Sequence, residues 1–268
     1  MSIPQTDTHP RRVLLAFDLR APVTSPLAAA RALVETLDAE LSGLFVEDIN
    51  LLRLAALPFT REVGATSGLS RPIELLDVER VLRLQADAAR QALSELAAEL
   101  AVPWSFRVER GDLVDRVLAE MSESVAAVLV PPMLARKLEL ASGKRPGRSR
   151  SEGQRLLAVW DRSAAGTQPL TIALRLAAVQ HATVTLALVG GEPLTSETGP
   201  ESLASLLAAA PPGTRVVTLS RAEPAVLAAQ LRATACDLLL LSWSGLARDR
   251  EQMRALIEGA GAPVVLLA

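Results

Sequence analysis

RVLLAFD at Arg12–Asp18 and RLLAVWD at Arg155–Asp161 are the two stretches whose reading decides the fold. Each is a continuous apolar run that ends on an aspartate. Such a run, without polar alternation, suits a strand buried on both faces, as in a parallel sheet covered by helices. Each is followed by a loop and a helix-patterned segment, Ser25–Leu37 and Thr167–Val179. Further strand-like runs separated by helical ones come after each, which predicts two tandem α/β units. A unit of this kind whose first strand ends in a carboxylate has its ligand site at that strand's carboxyl end. Asp18 and Asp161 are therefore the first candidate site residues.

The composition bounds the rest. A chain of 268 residues suits two domains of roughly 130, each able to bury about two-thirds of its unfolded surface. Half the residues are hydrophobic, yet only 3% are aromatic and none is tyrosine, so the cores must be built from Leu, Val and Ala. A net charge of −2 gives no field that would draw nucleic acid or an acidic membrane. The single cysteine, Cys236, forms no internal disulfide and supplies no cysteine-based zinc cluster; its place before Leu238–Leu241 predicts a buried structural thiol. MSIPQTDTHPRR has no apolar stretch and predicts no signal peptide, and no run reaches the roughly 20 apolar residues of a membrane span. A soluble cytoplasmic protein is the expectation.

In the first unit the pattern predicts strands at Val13–Phe17, Glu40–Val46, Pro103–Glu109 and Val125–Val130, with helices at Pro26–Leu37, Glu74–Leu100 and Leu113–Met121. The long helix is expected to turn Leu76, Val81, Leu84, Ala88, Leu93, Leu96 and Leu100 inward. Between them the excursion Glu47–Ser70 is unusually long for a compact domain. It is open to three readings: a short helix on its own domain, a lid, or a protomer contact. Gly143–Gly153 is the expected linker. The second unit predicts strands at Leu156–Trp160, Val184–Val189, Arg215–Leu219, Leu238–Leu241 and Val264–Leu267, with helices at Pro169–Val179, Glu201–Ala209, Pro224–Ala235 and Glu251–Glu258. Right-handed crossovers make that a five-stranded parallel sheet with helices on both faces, and leave the first unit truncated at four strands.

This order, with VLLAFD at Val13–Asp18, ELSGLFVED at Glu40–Asp48, WSFRVERGD at Trp104–Asp112 and APVVLLA at Ala262–Ala268, resembles the universal stress protein family in its tandem form. The resemblance implies domains at 11–142 and 154–268 joined by the linker 143–153, each an adenine-nucleotide α-hydrolase-like fold. Members that bind ATP carry a loop after the fourth strand: Gly, two residues, Gly, nine residues, Gly, then Ser or Thr. Its backbone N–H groups close on the phosphates. Here Ser242 stands in the first glycine's place, Gly245 matches the second, and Ala255 and Leu256 replace the last pair. In the first unit the fourth strand runs into Pro131-Pro132, and proline has no N–H to offer a phosphate.

The family position near the nucleoside is held by Asp18 and Asp161, each followed closely by an arginine, Arg20 or Arg162. Without a phosphate loop, such an aspartate is expected to serve as a turn or cap residue. His9 and His181 are the only histidines, so no nucleophilic triad is expected. Metal-ligand clusters are absent. The basic stretch containing Lys144, Arg145, Arg148 and Arg150 lacks interleaved aromatics and reads as a solvated linker.

The expectation is a non-enzymatic stress-response or regulatory protein that acts by protein contacts and takes no cofactor. The alternative is a degenerate ATP- or AMP-binding protein using Asp161, Ser242, Ser244, Gly245 and Asp18. An unidentified protein partner is expected, with either a homodimer or an internal pseudo-dimer. A further pairing is expected through Val264–Leu267 or the first unit's uncovered edge.

Overall fold

Parallel strands that are apolar on both faces must be covered on both, and this chain supplies helices for each. The computed structural model describes residues 11–24, 26–64, 67–121, 124–133, 154–161, 167–190, 207–208, 210–219, 224–243 and 250–268. The first half runs β1 (Arg12–Phe17), α1 (Leu27–Leu37), β2 (Glu40–Asp48), α2 (Ile49–Ala55), β3 (Arg61–Val63), β4 (Ser70–Pro72), α3 (Leu75–Leu100), β5 (Trp104–Gly111), α4 (Leu113–Glu120) and β6 (Val125–Val130). The second runs β7 (Arg155–Trp160), α5 (Thr167–Gln180), β8 (Thr183–Val189), β9 (Arg215–Leu219), α6 (Pro224–Ala233), β10 (Leu238–Ser242), α7 (Arg250–Gly259) and β11 (Val264–Leu267). The linker 143–153 and most of the expected helix 201–209 lie outside the described residues.

Among the described residues, nine strands form one sheet in the order β5-β2-β1-β6-β11-β10-β7-β8-β9. Within each half the pairing is parallel and follows the same winding: outward from the first strand to the third, then back across to the fourth. The α/β class, the four strands of the first half and the five of the second are as expected.

The halves meet where β11 runs antiparallel to β6, with Val264 opposite Val130 and Leu267 opposite Ala127. On its other side β11 is parallel to β10. One strand thus completes its own half and also fills the fifth place that the first half lacks. The further pairing expected through Val264–Leu267 or the first unit's uncovered edge at β6 is therefore overturned: both edges are consumed inside the chain, and among the described residues the outer strands of the sheet are β5 and β9. The juxtaposition is the internal pairing, made with a single shared strand.

Successive residues of the central strands feed opposite layers. Val13, Leu15 and Phe17 pack beneath α1, α3 and α5, whereas Leu14 and Ala16 face the layer of α4, α6 and α7. Helices also cross the junction, α1 against α5 on one face and α4 against α7 on the other. On the second face Arg254 of α7 reaches Asp112 Oδ1 at 2.9 Å and Asp115 Oδ1 at 2.5 Å at the start of α4. Gly43 in β2 lets α3 lie close, because a Cβ there would meet Leu93 and Phe106 carbons at 2.7 Å.

One expectation in the first half is corrected in part. The core stripe of α3 is Leu82, Ala86, Ala89, Leu93, Leu96 and Ala97, with Leu100 partly buried; Leu93, Leu96 and Leu100 turn inward as expected, but Leu76, Val81, Leu84 and Ala88 face solvent. Toward the start of the helix Leu82 and small alanines do the packing, so the spacing misjudged the inner face there. The excursion contains a short helix on its own domain, α2, one of the readings above, followed by a two-stranded hairpin, β3–β4, which the sequence pattern did not reveal.

Because Leu266 is fully buried between the halves, Leu266→Ala should cost about 2–5 kcal/mol. With the sheet continuous, calorimetry should show one transition moved to lower temperature. Separation into two transitions would mean that the halves fold independently of the shared strand.

Candidate functional site

β1 is buried along its length, so the residue that follows it emerges inside the layer rather than in solvent. That residue is Asp18, only 5% exposed. Its Oδ1 accepts the backbone N–H of Arg20 at 2.9 Å, the turn contact expected of an aspartate at a strand end. Its Oδ2 lies 3.4 Å from Arg20 Nε, off hydrogen-bonding geometry, and has no hydrogen-bond donor. Burial pushes the Asp18 carboxyl above the usual aspartate range, and the Asp48 charge adds to this. The backbone N–H groups of Arg20 and Ala21 and the Arg20 charge pull the other way, and burial dominates.

Arg20 continues across the strand ends. Its Nη2 donates to Asp48 Oδ2 at 3.0 Å, and Nη1 lies 3.8 Å from Met133 Sδ. Asp48 closes β2 and caps α2, its Oδ1 accepting the Asn50 N–H at 2.8 Å. Met133 follows β6 after Pro131 and Pro132. One guanidinium therefore spans the carboxyl ends of β1, β2 and β6. The winding reverses between β1 and β6, which is where open α/β sheets take their ligands. In this half that place is filled by the chain's own cation.

The equivalent reversal in the second half lies between β7 and β10. Asp161 follows β7 and is half-buried. Ser242 is buried at the end of β10, opposite Leu267, so it belongs to the strand rather than to a loop. The Trp243 N–H donates to the Leu267 carbonyl at 2.8 Å, and its side chain packs on the core layer of α6 and α7. Ser244, Gly245 and Arg162 lie outside the described residues. The structure thus brings Asp18 together with Arg20, and Asp161 and Ser242 to one strand-end region. The two carboxylates stand in separate halves.

Sequence reasoning missed Asp48 and Met133 as partners of Arg20. A signal for Asp48 was present, since Phe17-Asp18 and Glu47-Asp48 both close a strand with a carboxylate. No group of three or more metal-ligating side chains occurs among the described residues. Cys236 is half-buried, and burial pushes its thiol up to about 11, with the Asp237 charge adding to the effect.

No family model matches the chain and no curated protein matches it. Among solved structures it is similar to a universal stress protein from Archaeoglobus fulgidus DSM 4304, at 12% identity and TM-score 0.49, covering 96% of this chain and 95% of that one. It is also similar to a protein of the universal stress protein family from Burkholderia pseudomallei, at 19% identity and TM-score 0.31, covering 44% of this chain and 98% of that one. A third is the cytoplasmic domain of a prokaryotic cation chloride cotransporter, at 14% identity and TM-score 0.40, covering 96% and 95%. Likeness at this level says nothing of activity. No helix among the described residues is long and apolar enough to cross a membrane.

Two outcomes follow from these environments. The fold favours the neutral form of Asp18, so its stabilisation is complete below the ordinary value of 3.8 and is lost as pH rises through the raised folded value. Asp18→Asn should therefore match the wild type in acid and melt higher at neutral pH. A variant that melts lower at neutral pH would mean the Arg20 pairing outweighs burial. For Cys236, alkylation of the native protein at pH 8 should be at least about tenfold slower than in denaturant. Equal rates would show an open thiol.

Proposed function

We propose that this chain is a regulatory module of the universal stress protein type, working through protein contacts in the cytoplasm, with no catalytic step and no nucleotide bound in that family's manner. The observation that carries the reading is Arg20: its ion pairs with Asp18 and Asp48 fill the first-half crevice where a ligand would sit. Supporting it, β6 runs into Pro131-Pro132, which have no N–H for a phosphate. In the second half, the residue in the first glycine's place, Ser242, is paired within β10. The resemblance in the strand sequences supports the family reading, and the arrangement of these side chains supports a departure from its ATP-binding members.

The test is to denature freshly purified protein, assay the supernatant for adenine nucleotides, and melt the native protein with added ATP and Mg²⁺. No nucleotide and no shift are expected. A bound ligand at a hundred times its Kd would add about 2.7 kcal/mol, which a melt resolves easily. Nucleotide near one per chain would overturn the reading and favour a degenerate adenine-nucleotide site. Gly245→Val and Asp161→Asn would then locate it in the second half, and Arg20→Ala in the first.

A further inference from the structure

Arg20 faces two carboxylates and, as its third neighbour, a thioether. The Sδ of Met133 lies 3.8 Å from Arg20 Nη1, while Nη2 and Nε turn to Asp48 and Asp18. Sulfur in a thioether is a weak acceptor, so Nη1 has a far poorer partner than the carboxylates beside it. Pro131 and Pro132, with φ fixed by their rings, carry the chain from β6 to this position. The chain has four methionines, of which Met1 lies outside the described residues. Met253 is fully buried, whereas Met121 and Met133 are half-buried against the layer of α4, α6 and α7. Among the described residues, Met133 is the methionine whose sulfur stands beside a cation.

We propose that Met133 is a site of reversible oxidation, with Arg20 as the donor that receives the sulfoxide oxygen. The oxidant class is a hydroperoxide. A sulfur lone pair attacks the terminal oxygen, and the S–O bond forms as the O–O bond breaks. The proton on the transferred oxygen passes to the departing one, which leaves as water or an alcohol. Sulfur loses two electrons and the peroxide gains them. Arg20 Nη1 is placed to donate to the departing oxygen as charge develops on it. A sulfoxide in a core layer without a partner disrupts the packing. At Met133 the new oxygen meets an N–H already in place, and a charge-assisted hydrogen bond replaces a weak one. It competes for the guanidinium, and Asp18 Oδ2, 3.4 Å from Nε and off hydrogen-bonding geometry, is the contact held least firmly. A methionine sulfoxide reductase restores the thioether, with two thiols oxidised to a disulfide and the oxygen released as water. The ends of β1, β2 and β6 thus carry a chemical state that an oxidant sets and a reductase clears.

The experiment exposes the folded full chain to hydrogen peroxide, reads each methionine by peptide mass spectrometry, and melts the protein before and after. Met133 should gain one oxygen faster than Met121, and Met253 should gain none until the chain is denatured. Oxidation should lower the melting temperature of Arg20→Ala by at least about 3 °C more than that of the wild type, because the variant's sulfoxide lacks its donor. Adding Met133→Leu to Arg20→Ala should abolish that excess. If Arg20→Ala does not fold, nitrogen-15 spectra of the unsubstituted protein read the same contact: the Arg20 guanidinium protons should exchange with solvent more slowly after oxidation. A Met133 that oxidises no faster than Met121, equal losses with and without Arg20, or unchanged Arg20 exchange would each overturn the proposal. None of these readouts involves nucleotide, so this proposal and the proposed function fail separately.

Discussion

Four residues of β11 set against β6 are the contact on which the architecture depends. A parallel sheet grows by crossovers, and each half here does so with the same winding. Neither half is closed at its inner side without the other. The antiparallel pairing supplies backbone partners to both edges and aligns the helical layers, so that α1 meets α5 and α4 meets α7. Arg254 adds ion pairs across the seam, but these are partly exposed and contribute modestly. The burial of Val264, Val265, Leu266 and Leu267 does the larger part.

The same winding sets the chemistry of the strand ends. It brings β1, β2 and β6 out side by side, and the chain places acids at the ends of the first two and a thioether beyond the third. Arg20 is the group that satisfies this arrangement. A buried carboxylate is costly without a cation or hydrogen-bond donors, and Asp18 has the Arg20 and Ala21 N–H groups and one guanidinium. Arg20 offsets part of that cost, while Asp18 Oδ2 stays without a donor and burial still raises the carboxyl.

Much of the fold was legible because parallel strands buried on both faces leave an unmistakable trace. VLLAF, LLAVW and LLLL allow few other readings, and the paired motifs at Arg12 and Arg155 exposed the repeat. What escaped notice had physical reasons. α3 is apolar on more than one side: Leu93 and Leu96 face inward as the spacing indicated, but toward its start Leu76, Val81 and Leu84 lie outside while Leu82 and the alanines pack inward. The β3–β4 hairpin has strands too short for alternation and a proline in one of them. The Arg20 cluster joins residues up to 113 positions apart, a closeness that spacing cannot show. That β11 would serve both halves depended on an edge whose partner lay in the other repeat.

The shared strand also orders events during synthesis. β6 leaves the ribosome about 130 residues before β11 does. At bacterial or eukaryotic elongation rates of roughly 5–20 residues per second, that gap is on the order of ten seconds. Throughout it the first half carries a bare strand of Val125, Val128, Leu129 and Val130, with the hydrogen-bonding groups of one side unmet. A nascent chain in that condition is a template for any passing strand, including the same edge on a neighbouring ribosome of the polysome. The economy of one strand in place of two is thus bought with an interval of vulnerability, and chaperone occupancy of the nascent first half should track it.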